Sequence, residues 1–143
     1  MFERYTEGAR RTIFFARYEA GAYGSPYIET EHLLAGLLRA DRLLARSVLR
    51  RPDAGESIRK ELSTRLTRRE RISTTVEIPL SGESRYVLRF AAKAAAKLGH
   101  HHVDNIHLLL GLLRNQECLA ARILQDQGVE SEALEKIIDK HID

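Results

Sequence analysis

The chain has 143 residues, 43% hydrophobic and 30% charged, with 23 Lys and Arg against 20 Asp and Glu for a formal net charge of +3. That length holds one domain or two fused small units, and so large an apolar fraction excludes a disordered chain. No run of about 18 apolar residues is present to span a membrane as a helix, and the lone Cys118 excludes an internal disulfide framework.

One cysteine fits a reducing compartment. The opening Met1-Phe2-Glu3-Arg4-Tyr5 lacks the apolar stretch of a secretory signal, so a cytoplasmic location is expected.

Sliding the chain against itself by 75 residues pairs 6–49 with 81–124 without a gap, and 15 of those 44 pairs are identical. Random pairing at average composition gives roughly three. Seven of the eight pairs between His32–Arg39 and His107–Arg114 are identical, and Gly24 and Gly99 keep the same register. A repeat unit is therefore the first thing the sequence specifies.

Taken in chain order, apolar residues at Ala9, Ile13, Ala16 and Ala20 fall on one helix face. Thr6 is placed to cap that helix and Gly24 to end it. A short link precedes a second helix capped by Thr30 and carrying Leu33, Leu34, Leu37 and Leu38. A third is predicted over Leu43–Arg50 and a fourth over about Glu56–Leu66. Between the units lie residues 67–80, whose arginines come first and whose stretch Ile72–Pro79 is rich in β-branched residues and ends in proline, which predicts an extended connector. The pattern then returns: a helix over Ser81–Leu98 ending at Gly99, one capped by Asn105, one over Leu119–Gln127 closed by Gly128, and one over about Ser131–His141.

The expected fold is all-α. It has about eight helices in two tandem four-helix repeats related by a pseudo-twofold. The boundaries are about 5–66 and 81–141, within one domain of 1–143. The leucine-rich helices, apolar on most sides, belong at the centre.

Several residues carry candidate chemistry. Thr30 opens a helix whose first N–H groups point outward, a natural anion site. Glu31 can accept a guanidinium through both oxygens. The bland alternative is that Thr30 only caps and Glu31 only complements the helix dipole. Asn105 takes the place of Thr30 in the second repeat, but Ile106 stands where Glu31 does and cannot bind a cation. His32 and His107 occupy matching positions with no accompanying acid or nucleophile. They read as structural ties between a helix and the loop before it. Gly36 and Gly111, at the centre of the matched stretch, are structural positions too.

His100-His101-His102 lacks metal-ligand spacing, so neither a metal nor a cofactor is expected. Cys118 pairs with Leu43, which argues for a small buried hydrophobe without a catalytic base. Arginines crowd from Arg39 to Arg71, diluted by Asp41, Asp53, Glu56, Glu61 and Glu70. Such a run is usually a solvated face. No series of stacking aromatics accompanies it, so nucleic acid is an unlikely partner. Tyr5, Tyr23 and Tyr27 are candidate contact aromatics. An apolar groove between the two repeats is a further expected docking surface.

The doubled motif Ile28-Glu29-Thr30-Glu31-His32-Leu33-Leu34-Ala35-Gly36-Leu37-Leu38, with the Thr6-x-x-Ala9-Arg10 opening and the Gly24 link, resembles the Clp amino-terminal domain. The likeness covers essentially the whole chain. It implies a non-catalytic module in front of ClpA- or ClpC-type AAA+ unfoldases, receiving adaptor proteins and unfolded or tagged substrates. In ClpC-type relatives the threonine and glutamate of the motif are implicated in reading phosphorylated arginine. Carried over, that names Thr30 and Glu31, with Asn105 as the second-repeat counterpart. No Gly-x-x-x-x-Gly-Lys-Ser/Thr loop occurs, so ATP hydrolysis is not expected of this chain. A free-standing accessory protein that stabilises or regulates a Clp complex is the alternative; a nucleic-acid-binding protein is a more remote one.

Overall fold

A computed structural model describes residues 2–49 and 51–138. Its helices are α1 (Glu7–Ala22), α2 (Thr30–Ala40), α3 (Arg42–Val48), α4 (Ala54–Arg65), α5 (Gly82–Lys97), α6 (Asn105–Arg114), α7 (Leu119–Asp126) and α8 (Ser131–Ile138). Arg50, at the predicted end of the third helix, lies outside the described residues, as does the predicted last helical residue, His141.

The helix ends follow from side-chain chemistry. The Thr6 hydroxyl accepts the Ala9 N–H at 3.1 Å, and 75 residues on Ser81 accepts the Ser84 N–H at 3.1 Å. Both helices close in the same way. Gly24 and Gly99 take φ of 71° and 77°. The next amides, of Ser25 and His100, reach back to the Ala20 and Ala95 carbonyls, both at 2.9 Å.

α2 and α6 form the centre. Leu33, Leu34, Leu37 and Leu38 of one, and Leu108, Leu109, Leu112 and Leu113 of the other, are buried. Full burial of each such side chain contributes about 1.5–3 kcal/mol. α1 lies on α2 and α5 on α6, and a glycine sits at each crossing. A Cβ at Gly36 would stand 2.5 Å from the Thr12 carbonyl oxygen, and one at Gly111 would stand 2.6 Å from that of Val87. Thr12 and Val87 are themselves 75 residues apart.

The two repeats exchange backbone contacts reciprocally. Tyr5 forms a parallel bridge with Val103, and Leu80 forms one with Ile28. The Thr6 N–H donates to the Val103 carbonyl at 3.0 Å and the Val103 N–H to that of Arg4 at 2.9 Å. Shifted by 75 residues, the Ser81 N–H donates to Ile28 at 3.0 Å and the Ile28 N–H to Pro79 at 2.8 Å. Residue i of one repeat meets residue j of the other, and j meets i, which is the signature of a twofold relation.

The connector is free of helix, and a turn closed by the Val76 N–H on the Ser73 carbonyl at 3.1 Å interrupts its course. It straps the end of α1: the Arg69 N–H donates to Tyr23 O at 2.9 Å and the Ile72 N–H to Gly21 O at 3.0 Å. Its own Ile78 is buried. Arg17 fastens the strap from α1, donating to the Ser73 and Val76 carbonyls.

The pairing of Leu43 with Cys118 carries no shared burial. Cys118 is buried at the N-cap of α7, its thiol 3.5 Å from the Leu112 carbonyl, whereas Leu43 is 77% exposed. The first repeat starts its third helix earlier, because the Asp41 side chain caps it by accepting the Leu44 N–H at 3.0 Å.

Candidate functional site

The corner between the Gly24 loop and α2 holds the first-repeat candidates. The sequence places the caps of α2 and α6 at Thr30 and Asn105. The structure places them one residue earlier, at Glu29 and Asp104, whose backbones are extended with ψ of 171° and 173°. In each case a histidine completes the cap from the third helical position. The Glu29 N–H donates to His32 Nδ1 at 2.9 Å, and the Asp104 N–H to His107 Nδ1 at 2.9 Å. A capping box normally uses Glu or Gln there. An imidazole serves equally well provided Nδ1 is unprotonated, which fixes the neutral tautomer with its proton on Nε2. On His107 that proton faces His100 Nδ1 at 2.8 Å. His32 is buried, and desolvation pushes its pKa down to about 4.

With the caps elsewhere, Thr30 and Asn105 turn inward, at 2% and 1% exposure. The Thr30 hydroxyl lies 3.4 Å from Glu31 Oε1 and donates to it. The Asn105 amide ties three segments together. Its Oδ1 accepts the Thr12 hydroxyl at 2.6 Å, and its Nδ2 donates to Asp41 Oδ2 at 3.2 Å. Its own N–H donates to Asp104 Oδ1, which also accepts the Thr6 hydroxyl at 2.9 Å. The sister residue of Glu31, Ile106, is buried. An Asn105→Ala variant should lose about 2 kcal/mol of stability by stranding the Thr12 hydroxyl in the interior, measurable by urea denaturation.

Glu31 is the candidate side chain this corner presents. It is only partly exposed, and burial is the main cause that raises its carboxyl pKa, with the Glu29 and Glu83 carboxylates adding to it. A backbone N–H and the Thr30 hydroxyl work in the opposite direction. The carboxylate faces a hollow of about 230 Å³ whose walls include Tyr23, Pro26, Glu29, His32 and Arg69. A second hollow of about 180 Å³ shares Tyr23, Glu31 and His32 and adds Arg59 and Arg68. The Arg68 guanidinium stacks 4.9 Å over the Tyr23 ring. A poorly solvated carboxylate in hollows that arginines also line can hold a cation beside an anion.

Sequence reasoning names Tyr23 but does not assign Arg68 and Arg69 to the site. They reach it because the connector folds back along the end of α1, a long-range contact with no local signal. The other tyrosines stand apart from it: Tyr5 is buried against Phe2, with ring centroids 5.0 Å apart, and Tyr27 is 48% exposed. Among the described residues, no three His, Cys, Asp or Glu side chains gather closely enough to hold a metal ion. Within the same residues, no helix is long and apolar enough to cross a membrane.

The model of the Clp repeat N-terminal domain family matches residues 4–127 and again 79–143, the second match covering the second repeat. The negative regulator of genetic competence ClpC/MecB of Bacillus subtilis is 37% identical over 130 residues, which is 90% of this chain and 16% of that protein. This chain therefore spans less than a fifth of the length of that relative. The N-terminal domain of the chaperone ClpD from Arabidopsis thaliana superimposes with a TM-score of 0.72 at 24% identity, covering 96% of this chain and 99% of that one. The Hsp104 N-terminal domain of Candida albicans does so with a TM-score of 0.74 at 21% identity, over 94% and 88% of the two chains. These two likenesses bear on the fold. With a family model laid over nearly all of its length and a relative above one-third identity, the chain belongs to the Clp repeat N-terminal domain family.

Proposed function

We propose that this chain is a non-catalytic protein-binding module that recruits substrates or adaptor proteins for a Clp AAA+ unfoldase. Family membership supports the class of function, and Glu31 carries the specific reading. A half-buried carboxylate without a full hydration shell gains most from a guanidinium, which it can hold through two parallel hydrogen bonds. Arg69 in one of the hollows beside Glu31 and Arg68 in the other supply positive charge for a phosphoryl group attached to that guanidinium. Phosphoarginine on a substrate protein presents both groups within one side chain. In this reading Glu31 binds and Thr30 positions it, its hydroxyl holding one carboxylate oxygen. Asn105 has a structural role in joining the repeats, and His32, His107, Gly36 and Gly111 hold the frame.

Titration calorimetry with free phosphoarginine tests this. The chain should bind phosphoarginine in preference to arginine or inorganic phosphate. Glu31→Gln should weaken binding by about tenfold or more, the worth of a charge-assisted pair. The absence of heat at millimolar phosphoarginine would remove the phosphoarginine reading. Affinity capture that recovers neither an AAA+ ring nor an adaptor would remove the broader one.

A further inference from the structure

The first repeat carries a further concavity, larger than the hollows beside Glu31 and sharing Arg59 with one of them. The last turn of α2, α3 and the start of α4 enclose a groove of about 910 Å³. It lies within one repeat, not between the two. Leu38, Ala45 and Leu49 are its aliphatic lining. Around them stand five arginines, Arg39, Arg42, Arg46, Arg51 and Arg59, against a single carboxylate, Glu56.

Most of this charge is uncommitted. Among the described residues, no carboxylate lies within 4.0 Å of Arg42, Arg46 or Arg59. Arg51 reaches only the neutral Gln127 amide, at 3.1 Å. Arg39 stacks 4.4 Å over Phe15. That contact belongs to the fold, because Arg114 stacks likewise over Phe90 in the second repeat. Arg42 and Arg46 have no such role: at their positions the second repeat carries Glu117 and Ala121, and it still forms its third helix, α7. Like charges gathered in a groove repel one another and disfavour the compact state. These arginines therefore answer to something outside the chain.

We propose that this groove docks an acidic, amphipathic segment of a partner protein. Its apolar side chains would lie on Leu38, Ala45 and Leu49 while its carboxylates meet Arg42, Arg46 and Arg59. An amphipathic helix laid in a groove has this pattern of one apolar stripe between charged flanks. Guanidinium groups pair carboxylates in fixed fork geometry, which sets the segment's register. Nucleic acid fits less well. Its bases need open aromatic faces, and the nearby Phe15 and Tyr18 rings lie beneath the Arg39 guanidinium. This inference rests on the chain being a protein-binding module, and it adds a surface of the opposite preference to the cation-seeking Glu31 hollow.

The test uses fluorescence anisotropy on the whole chain with a labelled amphipathic Leu/Glu peptide. An oligoglutamate of equal length and a single-stranded oligonucleotide of equal charge are the comparators. The peptide should bind more tightly than either, and more weakly as salt rises. The double variant Arg42→Ala/Arg46→Ala should lose about tenfold or more in affinity, as charged anchors do. Both residues are exposed, so its thermal unfolding should match the parent. Amide shifts should cluster on α3 and its neighbours. Equal binding of oligoglutamate or oligonucleotide, parental affinity in the double variant, or shifts centred elsewhere would overturn the proposal. Any of these with phosphoarginine binding intact removes the groove alone. Failure of both ligands removes both site assignments, and the broader module reading stands or falls on the affinity capture of an AAA+ ring or an adaptor.

Discussion

Gly36→Ala should cost about 3 kcal/mol and lower Tm by roughly 10 °C, a large effect for one methyl group. The added carbon would stand 2.5 Å from the Thr12 carbonyl oxygen and 2.7 Å from the Ala16 amide nitrogen. Both are backbone atoms inside α1, so no side chain can rotate away, and α1 and α2 must separate. Separation opens gaps around Leu33, Leu34 and Leu37, and cavities in a packed interior are costly. Gly111→Ala should behave alike, because its carbon would meet the Val87 carbonyl oxygen at 2.6 Å and Val87 Cγ1 at 3.0 Å. Gly55→Ala is the control. Nothing lies within 4 Å of a carbon added there, on α4, so the better helix propensity of alanine should leave stability equal or slightly raised. Circular dichroism melts of the three variants decide the matter. A Gly36→Ala loss below about 1 kcal/mol would show that the helices yield without strain.

Acid should unfold the protein through His32. Its ordinary pKa of 6.5 falls to about 4 in the folded chain because burial penalises the imidazolium. Between those values the unfolded chain binds more protons than the folded one, so stability rises with pH across that window. The contribution is complete above 6.5, declines as pH falls, and is gone near 4. The shift corresponds to about 3 kcal/mol. Protonation also places a proton on Nδ1, where the Glu29 N–H now donates, and breaks the cap of α2. Glu31 acts in the reverse sense. Its carboxyl pKa is raised by burial, so the folded chain takes up its proton first and recovers part of the loss. Denaturant midpoints measured from pH 7 to pH 4 should fall steeply, and a His32→Gln variant should show a shallower fall. Equal slopes in the two proteins would remove His32 as the cause.

Much of the architecture was legible because a 75-residue offset aligned whole helices, and helix periodicity needs only local information. The turn glycines Gly24 and Gly99 were legible for the same reason. The caps of α2 and α6 were not. Thr30 and Asn105 have the side chains that caps prefer, yet Glu29 and Asp104 hold the positions. The deciding partner was a histidine at the third helical residue, outside the usual capping pattern. The inward turn of Asn105 depends on Thr12 and Asp41, residues remote in sequence, and no local propensity encodes it. Leu43 misled for a different reason. It matched Cys118 by alignment, but α3 begins at Arg42 under the Asp41 cap and leaves that leucine in water. For the candidate site, Glu31 could be named from sequence. The arginines that line its hollows required the connector's path around α1.

The crossed backbone bridges, Tyr5 with Val103 and Leu80 with Ile28, have the form of the contact in a homodimer. Each half lends its leading segment to its twin and receives the same in return. A half-length polypeptide would bear a self-complementary surface with an unmatched strand edge, primed for dimerisation. Fusion into one chain supplies that mate at high local concentration, and it frees the two copies to diverge, one keeping Glu31 and the other filling the position with Ile106.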